Sequence, residues 1–246
     1  MIRAIFLMII LYASLIAWML AGLIVLVLPR QAMTWLARAW SRYYISLCRI
    51  IGGIHVEFRG LNHIPKGPLL VAAKHQSIWE TFALLSLFDD PCFILKQELA
   101  FIPVFGWFIG KMRNVAIDRK AGSRALLKLV RAAHQEIRAD GGRQILLFPE
   151  GTRRAPGAPP AYRFGIAQLY TGLDVPCLPV ALNSGVFWPR RSLKLRQGTI
   201  VVDILSPIAP GLERQDFFTR LQEQIEEASD RLLAEAQQNI NASIKA

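Results

Sequence analysis

Acidic residues and cysteines are both scarce in this 246-residue chain: 18 Asp and Glu stand against 29 Lys and Arg, a formal net charge of +11, and only three Cys occur. Cys48, Cys92 and Cys177 lie far apart, with neither the paired spacing of a zinc site nor the even number of a disulfide framework. A reducing compartment fits that usage. No Gly-x-Ser-x-Gly elbow occurs, so no serine nucleophile of the hydrolase kind is marked. Gly106, Gly110 and Lys111 fall one residue short of a phosphate loop, and Met112 stands where that loop needs a hydroxyl. Aromatic residues are not interleaved with the basic ones as a nucleic-acid stacking platform requires. The positive surplus therefore suits an anionic membrane surface, and nucleic acid is not an expected partner. There is no internal repeat and no low-complexity tract.

What the chain has in abundance is apolar sequence, 53% of its residues. Ala4 to Leu28 carry no charge over 25 positions; as a helix they extend about 37 Å, against about 30 Å for a bilayer core. The run is longer than a signal-peptide core, and Pro29-Arg30 replaces a small-residue cleavage site, so retention is expected. Next, Arg38, Arg42 and Arg49 recur at helical spacing among Trp35, Trp40, Tyr43 and Tyr44, the pattern of an amphipathic helix at a lipid interface. Arg30, Arg38, Arg42 and Arg49 outweigh Arg3 across the apolar run, which by the positive-inside bias puts the rest of the chain in the cytoplasm. Residues 1–52 are thus expected to form a membrane anchor with an interfacial helix, and 53–246 a single domain.

In that domain, strand-like runs at His55–Phe58, Leu69–Ala73, Cys92–Leu95, Val115–Ile117, Ile145–Phe148 and Val175–Leu182 alternate with helical stretches. The alternation argues an α/β fold, a central, largely parallel sheet flanked by helices. Ser123 to Ala139 places its apolar residues on one face, as a crossover helix does, and a last amphipathic helix runs from about Arg214 to Ala236. His55, His63 and His134 have no acid or metal partner at useful spacing and are given no role.

Two segments carry chemistry. His75 follows the strand Leu69–Ala73 and precedes an apolar helix from about Ile78 to Phe88. Five residues turn an ideal helix through about 500°, leaving two side chains about 140° apart. His75 and Glu80 therefore meet only if His75 lies before the first turn. From there the imidazole folds back so that Glu80 accepts its Nδ1 proton, leaving the other nitrogen as a base suited to an attacking hydroxyl. The second segment, Phe148-Pro149-Glu150-Gly151-Thr152-Arg153, starts where Pro149 stops the strand, just past a strand end where open α/β sheets bind ligands. Arg154 to Arg163, rich in proline, is placed to cover a substrate. Leu99 to Met112, with four aromatics, either fills core or meets an acyl chain.

Four segments in order resemble the 1-acyl-sn-glycerol-3-phosphate (lysophosphatidic acid) acyltransferase family: His75 with Glu80; Lys96 through Leu99, Pro103 and Gly106 to Ile117-Asp118-Arg119; Phe148 to Arg153; and Leu178 to Asn183. The likeness covers about residues 55 to 206. It implies acyl transfer from a thioester to the sn-2 hydroxyl of lysophosphatidate, giving phosphatidate, without a covalent enzyme intermediate. His75 would be the base and Glu80 its orienter, glutamate standing where the family usually has aspartate. Arg153, with the backbone N–H groups around Gly151, would bind the acceptor phosphate, and Glu150 and Thr152 are further substrate-binding candidates; Lys96 and Arg119 are weaker candidates that also read as surface residues. The donor is acyl carrier protein or coenzyme A thioester, with no metal or bound cofactor. The expected home is a bacterial inner membrane, where the apolar helix either spans or dips into one leaflet. The same chemistry on another lysolipid, such as a lyso-ornithine lipid, a non-catalytic lipid-binding role, and a thioesterase with water as the acceptor are the alternatives.

Overall fold

The computed structural model describes residues 2–245 except 119–121, 140 and 193. Two helices open the chain, α1 (Ile2–Val25) and α2 (Arg30–Leu47), followed by a short π-helical turn. Then come β1 (Ile54–Arg59), β2 (Leu69–Ala73), α3 (Trp79–Ala83), β3 (Pro91–Lys96), α4 (Phe105–Lys111), β4 (Val115–Ile117), α5 (Gly122–Ile137) and β5 (Gln144–Leu147). The chain ends with α6 (Gly165–Leu173), β6 (Cys177–Leu182), α7 (Ser184–Phe187), β7 (Gly198–Ile204) and α8 (Arg214–Lys245).

The strands form one seven-stranded sheet in the order β1-β7-β6-β2-β5-β3-β4. All pairs are parallel except β6 with β7, so the expected largely parallel sheet is present with one antiparallel joint. The joint comes from β7, a strand not anticipated although Thr199 to Val202 is β-branched throughout.

β2 lies at the centre, and all five of its residues are buried, because helices cover both faces. Its alternate residues sort into two cores. Leu69, Val71 and Ala73 face a cluster with Leu7, Leu11, Trp40, Tyr44 and Trp79 from the N-terminal half. Leu70 and Ala72 face Leu129, Ala133, Ile166, Tyr170 and Phe217 from α5, α6 and α8.

The N-terminal helices belong to this packing. Trp40 and Tyr44 of α2 are 7% and 3% exposed, Trp40 meeting Phe82 edge-on at 4.9 Å, whereas Trp35 and Tyr43 face outward. The aromatics expected at the lipid interface thus split between core and surface. α1 is long and apolar enough to cross a membrane; it turns Leu7 and Leu11 inward and Phe6, Ile9, Tyr12, Ile16, Leu20 and Ile24 outward.

The start of α2 is tied to the start of β3 by Arg30, which donates from both terminal nitrogens to the Asp90 carboxylate at 2.6 and 2.7 Å, with buried Arg143 3.2 Å away on the other side. Burial pushes the Asp90 carboxyl up, but the Arg30 hydrogen bonds and the two guanidinium charges outweigh it, so it sits below its ordinary value of 3.8. A depressed acid contributes stability that is present above its unfolded value and lost as pH falls through its folded value. Asp90→Asn is therefore expected to cost about 1.5–3 kcal/mol at neutral pH. Calorimetry should show that deficit shrinking as the buffer is taken below pH 3.8.

Candidate active site

Because β2, β3, β5 and β6 run in one direction, their carboxyl ends open on one edge of the sheet, and every candidate segment lies there. β2 leads into His75, β5 into Phe148–Arg153, β3 ends at Lys96, and β6 leads into α7. β2 and β5 are direct neighbours, which brings His75 beside Phe148: the two rings stack with centroids 3.9 Å apart and planes 14° apart.

His75 precedes α3, as the spacing argument requires, and its Nδ1 lies 2.9 Å from Oε1 of Glu80. The same oxygen accepts the backbone N–H groups of Gln76 and Ser77, each at 2.7 Å, and Oε2 accepts the Ser184 hydroxyl at 2.7 Å. Glu80 is wholly buried, so four donors stand in for water around its carboxylate. An acceptor at Nδ1 assigns the ring proton to that nitrogen and leaves Nε2 as the acceptor. The side chain of His75 keeps 15% of its exposure and lines a cavity of about 550 Å³, within the usual range for small-ligand pockets.

That cavity has two kinds of lining. Leu15, Trp18 and Met19 of α1, Leu36 and Trp40 of α2, and Phe105 and Phe108 of α4 give it an apolar wall. Leu99, Ile109 and Met112 join them, so the 99–112 segment contributes to the ligand space. Exposed Lys96, Arg190 and Arg191, with half-buried Arg153, add a cationic mouth where the lining meets solvent, and Gly151 and Thr152 also line the cavity. Among the described residues, no Asp or Glu lines it.

Of the candidate residues, the fold brings His75, Lys96, Gly151, Thr152 and Arg153 to this cavity. Arg119 lies outside the described residues. Gly151, at φ +65°, makes the turn that L side chains resist, and its N–H closes that turn on the Phe148 carbonyl at 2.9 Å. Glu150 has another place than beside a phosphate. Its side chain is 0% exposed, 3.1 Å from Nζ of Lys74, and it accepts the His75 backbone N–H at 3.2 Å. Burial pushes the Glu150 carboxyl up, and Lys74 counters part of that. It holds the histidine loop instead of meeting ligand.

The proline-rich 154–163 loop does not line the cavity. It docks on the other side, through Arg154 N–H to the His75 carbonyl and Tyr162 hydroxyl to Glu226, at 2.8 and 2.7 Å. Its prolines stiffen a strap between the histidine loop and α8 rather than a cover.

Four residues near the site carry no signal in the sequence reading: Ser184, Glu226, Arg190 and Arg191. Arg190 donates to the Arg153 carbonyl at 3.0 Å. Burial and the charges of Arg190 and Arg191 push the Arg153 guanidinium down from its ordinary value, against the favourable charge of Glu80. The cysteines are inert by contrast. Burial raises the Cys48 and Cys92 thiols to about 12, and a thiol so protonated is no nucleophile at neutral pH.

A histidine paired with a buried acid, in a cavity lined by apolar side chains and cations, has the chemistry to take a molecule with a lipid tail and an anionic head. The family model described as Acyltransferase matches residues 55–183. A 1-acyl-sn-glycerol-3-phosphate acyltransferase of Pseudomonas aeruginosa is 36% identical over 205 residues, covering 82% of this chain and 79% of that one. The alpha enzyme of that name from Ovis aries is 29% identical over 171 residues, 67% of this chain but 58% of its own length. The crystal structure of the 1-acyl-sn-glycerophosphate acyltransferase PlsC from Thermotoga maritima shares the fold, with a TM-score of 0.79 over 95% of this chain and 97% of that one at 22% identity. With its strand-end histidine, its matched segment and a relative of this identity spanning most of its length, the chain belongs to the acyltransferase family.

Proposed function

We propose that this protein transfers a fatty acyl group from a thioester, carried by acyl carrier protein or coenzyme A, to the sn-2 hydroxyl of lysophosphatidate, forming phosphatidate. The observation that carries the reading is the hydrogen bond between His75 Nδ1 and buried Glu80 beside a cavity lined by both apolar side chains and four cations. In the proposed step Nε2 of His75 removes the acceptor hydroxyl proton as that oxygen attacks the thioester carbonyl carbon. The tetrahedral oxyanion collapses, the carbon–sulfur bond breaks, and the imidazolium returns its proton to the thiolate. Ester and thiol leave, and the histidine is neutral again. Glu80 fixes the tautomer and stabilises the transient imidazolium, as the acid of a hydrolase triad does.

The acyl tails would lie along the apolar wall and the phosphate at Arg153 and Lys96. The outward apolar face of α1 supports membrane association, with the arginine bias across that helix favouring a bacterial inner membrane and a cytoplasmic site.

The test is direct. Purified protein in lipid vesicles, given a pool of lysolipids with both thioester donors, should yield phosphatidate by mass spectrometry. Acylation of only another lysolipid, such as a lyso-ornithine lipid, would keep the chemistry and overturn the acceptor; release of free fatty acid without any lysolipid would make water the acceptor.

A further inference from the structure

The cationic mouth holds more charge than one arginine supplies, and among the described residues no carboxylate forms a salt bridge with it. Pro189, Arg190 and Arg191 follow α7, which is fastened to the histidine loop twice: Ser184 donates to Glu80 at 2.7 Å, and the Gly185 N–H donates to Oε1 of Gln76 at 3.0 Å. The 189–191 turn is thereby held in register with His75. Arg190 in turn ties this turn to the Arg153 carbonyl. Arg191 adopts φ +55°, a left-handed conformation that side chains other than glycine and asparagine rarely take. Among the described residues, none of Arg153, Arg190 and Arg191 makes an ion pair. Like charges kept together without a carboxylate are a site for an anion.

We infer that Arg190 and Arg191 act with Arg153 as the specificity-determining group for a dianionic phosphate monoester, selecting lysolipids with a terminal phosphate over those whose phosphate is a singly charged diester. The inference rests on the proposed acyl transfer to lysophosphatidate. A monoester phosphate carries nearly two negative charges at neutral pH and three terminal oxygens, enough to occupy several guanidinium forks at once. A diester offers two oxygens and one charge. A lone arginine would serve the diester nearly as well; three in mutual repulsion are relieved most by the dianion.

Arg190 and Arg191 are both exposed, so their replacement should leave the fold intact, and Arg191→Ala reads the charge without removing the Arg190 tether. The experiment measures kcat and KM for wild type, R191A, R190A/R191A and R190K/R191K, with lysophosphatidate and with lysophosphatidylglycerol as the monoanionic comparison, and KM for each thioester donor.

R190A/R191A should raise KM for lysophosphatidate about tenfold or more, while kcat stays within about threefold of wild type. The preference for the monoester should fall in step, with R191A intermediate and the lysine pair partly restored. Unchanged KM for lysophosphatidate in variants that still make phosphatidate would overturn this inference and leave the proposed function standing. A rise confined to the coenzyme A donor would also overturn it, assigning the pair to the donor's phosphates. If wild type makes no phosphatidate at all, the proposed function falls and this inference with it.

Discussion

His75→Ala should lower kcat for acyl transfer by about 10²- to 10⁴-fold, the range general-base catalysis contributes, while binding to anionic vesicles persists. The loss should fall on kcat because, in the proposed mechanism, Nε2 acts on the proton that moves in the transition state and takes no part in holding the tail or the phosphate. The fold should tolerate the change. Glu80 loses one of four hydrogen-bond donors and keeps the backbone N–H groups of Gln76 and Ser77 and the Ser184 hydroxyl, so no buried carboxylate is orphaned. Glu80→Gln separates orientation from charge. Its amide oxygen can still accept from the loop, but no negative charge remains to stabilise the imidazolium, so a smaller fall in kcat is expected, with the melting temperature near that of wild type. Retention of more than about a tenth of wild-type kcat in His75→Ala would remove the histidine from the chemistry and require another base for the acceptor hydroxyl.

How far the sequence reveals this site follows from the range of the contacts. His75 and Glu80 are five residues apart, and a local argument about helical turns suffices to place them. The strand-end position of Phe148–Arg153 is equally local, since Pro149 stops a run of apolar residues. Ser184 meets Glu80 across 104 positions, and Glu226 meets Lys74 across 152. Those pairings depend on which strands are neighbours, and a parallel sheet leaves that order unwritten in any local pattern.

Arg190 and Arg191 look like an ordinary basic loop until α7 folds them back on Arg153. β7 escapes for a related reason: it follows a basic, proline-containing stretch and pairs with the first strand of the chain. The helix α2 shows the converse. Its basic and aromatic residues suggest a lipid interface, yet Trp40 and Tyr44 are claimed by the core through Phe82, because an amphipathic pattern states that one face is covered without stating by what.

The other large effect is expected at Lys74, which holds three elements together out of contact with water. Its ammonium lies 3.1 Å from Glu150 and 2.6 Å from Glu226 of α8, with side-chain exposures of 3% for the lysine, 0% for Glu150 and 19% for Glu226. Tyr162 adds a hydrogen bond to Glu226 and its ring face to the ammonium, 5.7 Å away. Lys74→Met keeps most of the volume but leaves two carboxylates facing each other without their cation. Breaking a buried pair in this way costs about 3–5 kcal/mol, and at about 2–4 °C per kcal/mol for a domain of this size the melting temperature should fall by about 6–20 °C.

The pH dependence identifies the cause. Glu150 is already raised by burial in the wild type, and losing Lys74 raises it further. A raised acid contributes stability that is fully present below its unfolded value and is lost as pH rises through its folded value. The gap between mutant and wild type should therefore narrow toward pH 4.5, the ordinary glutamate value, and widen toward neutrality. Adding Glu150→Gln and Glu226→Gln to Lys74→Met should recover much of the lost stability, since no buried charge remains. Activity should recover less, because Glu150 also anchors the His75 backbone at 3.2 Å and an amide accepts that hydrogen bond more weakly than a carboxylate. A melting temperature for Lys74→Met within about 2 °C of wild type at pH 7 would mean that α8 is held to the catalytic loop by its apolar contacts alone.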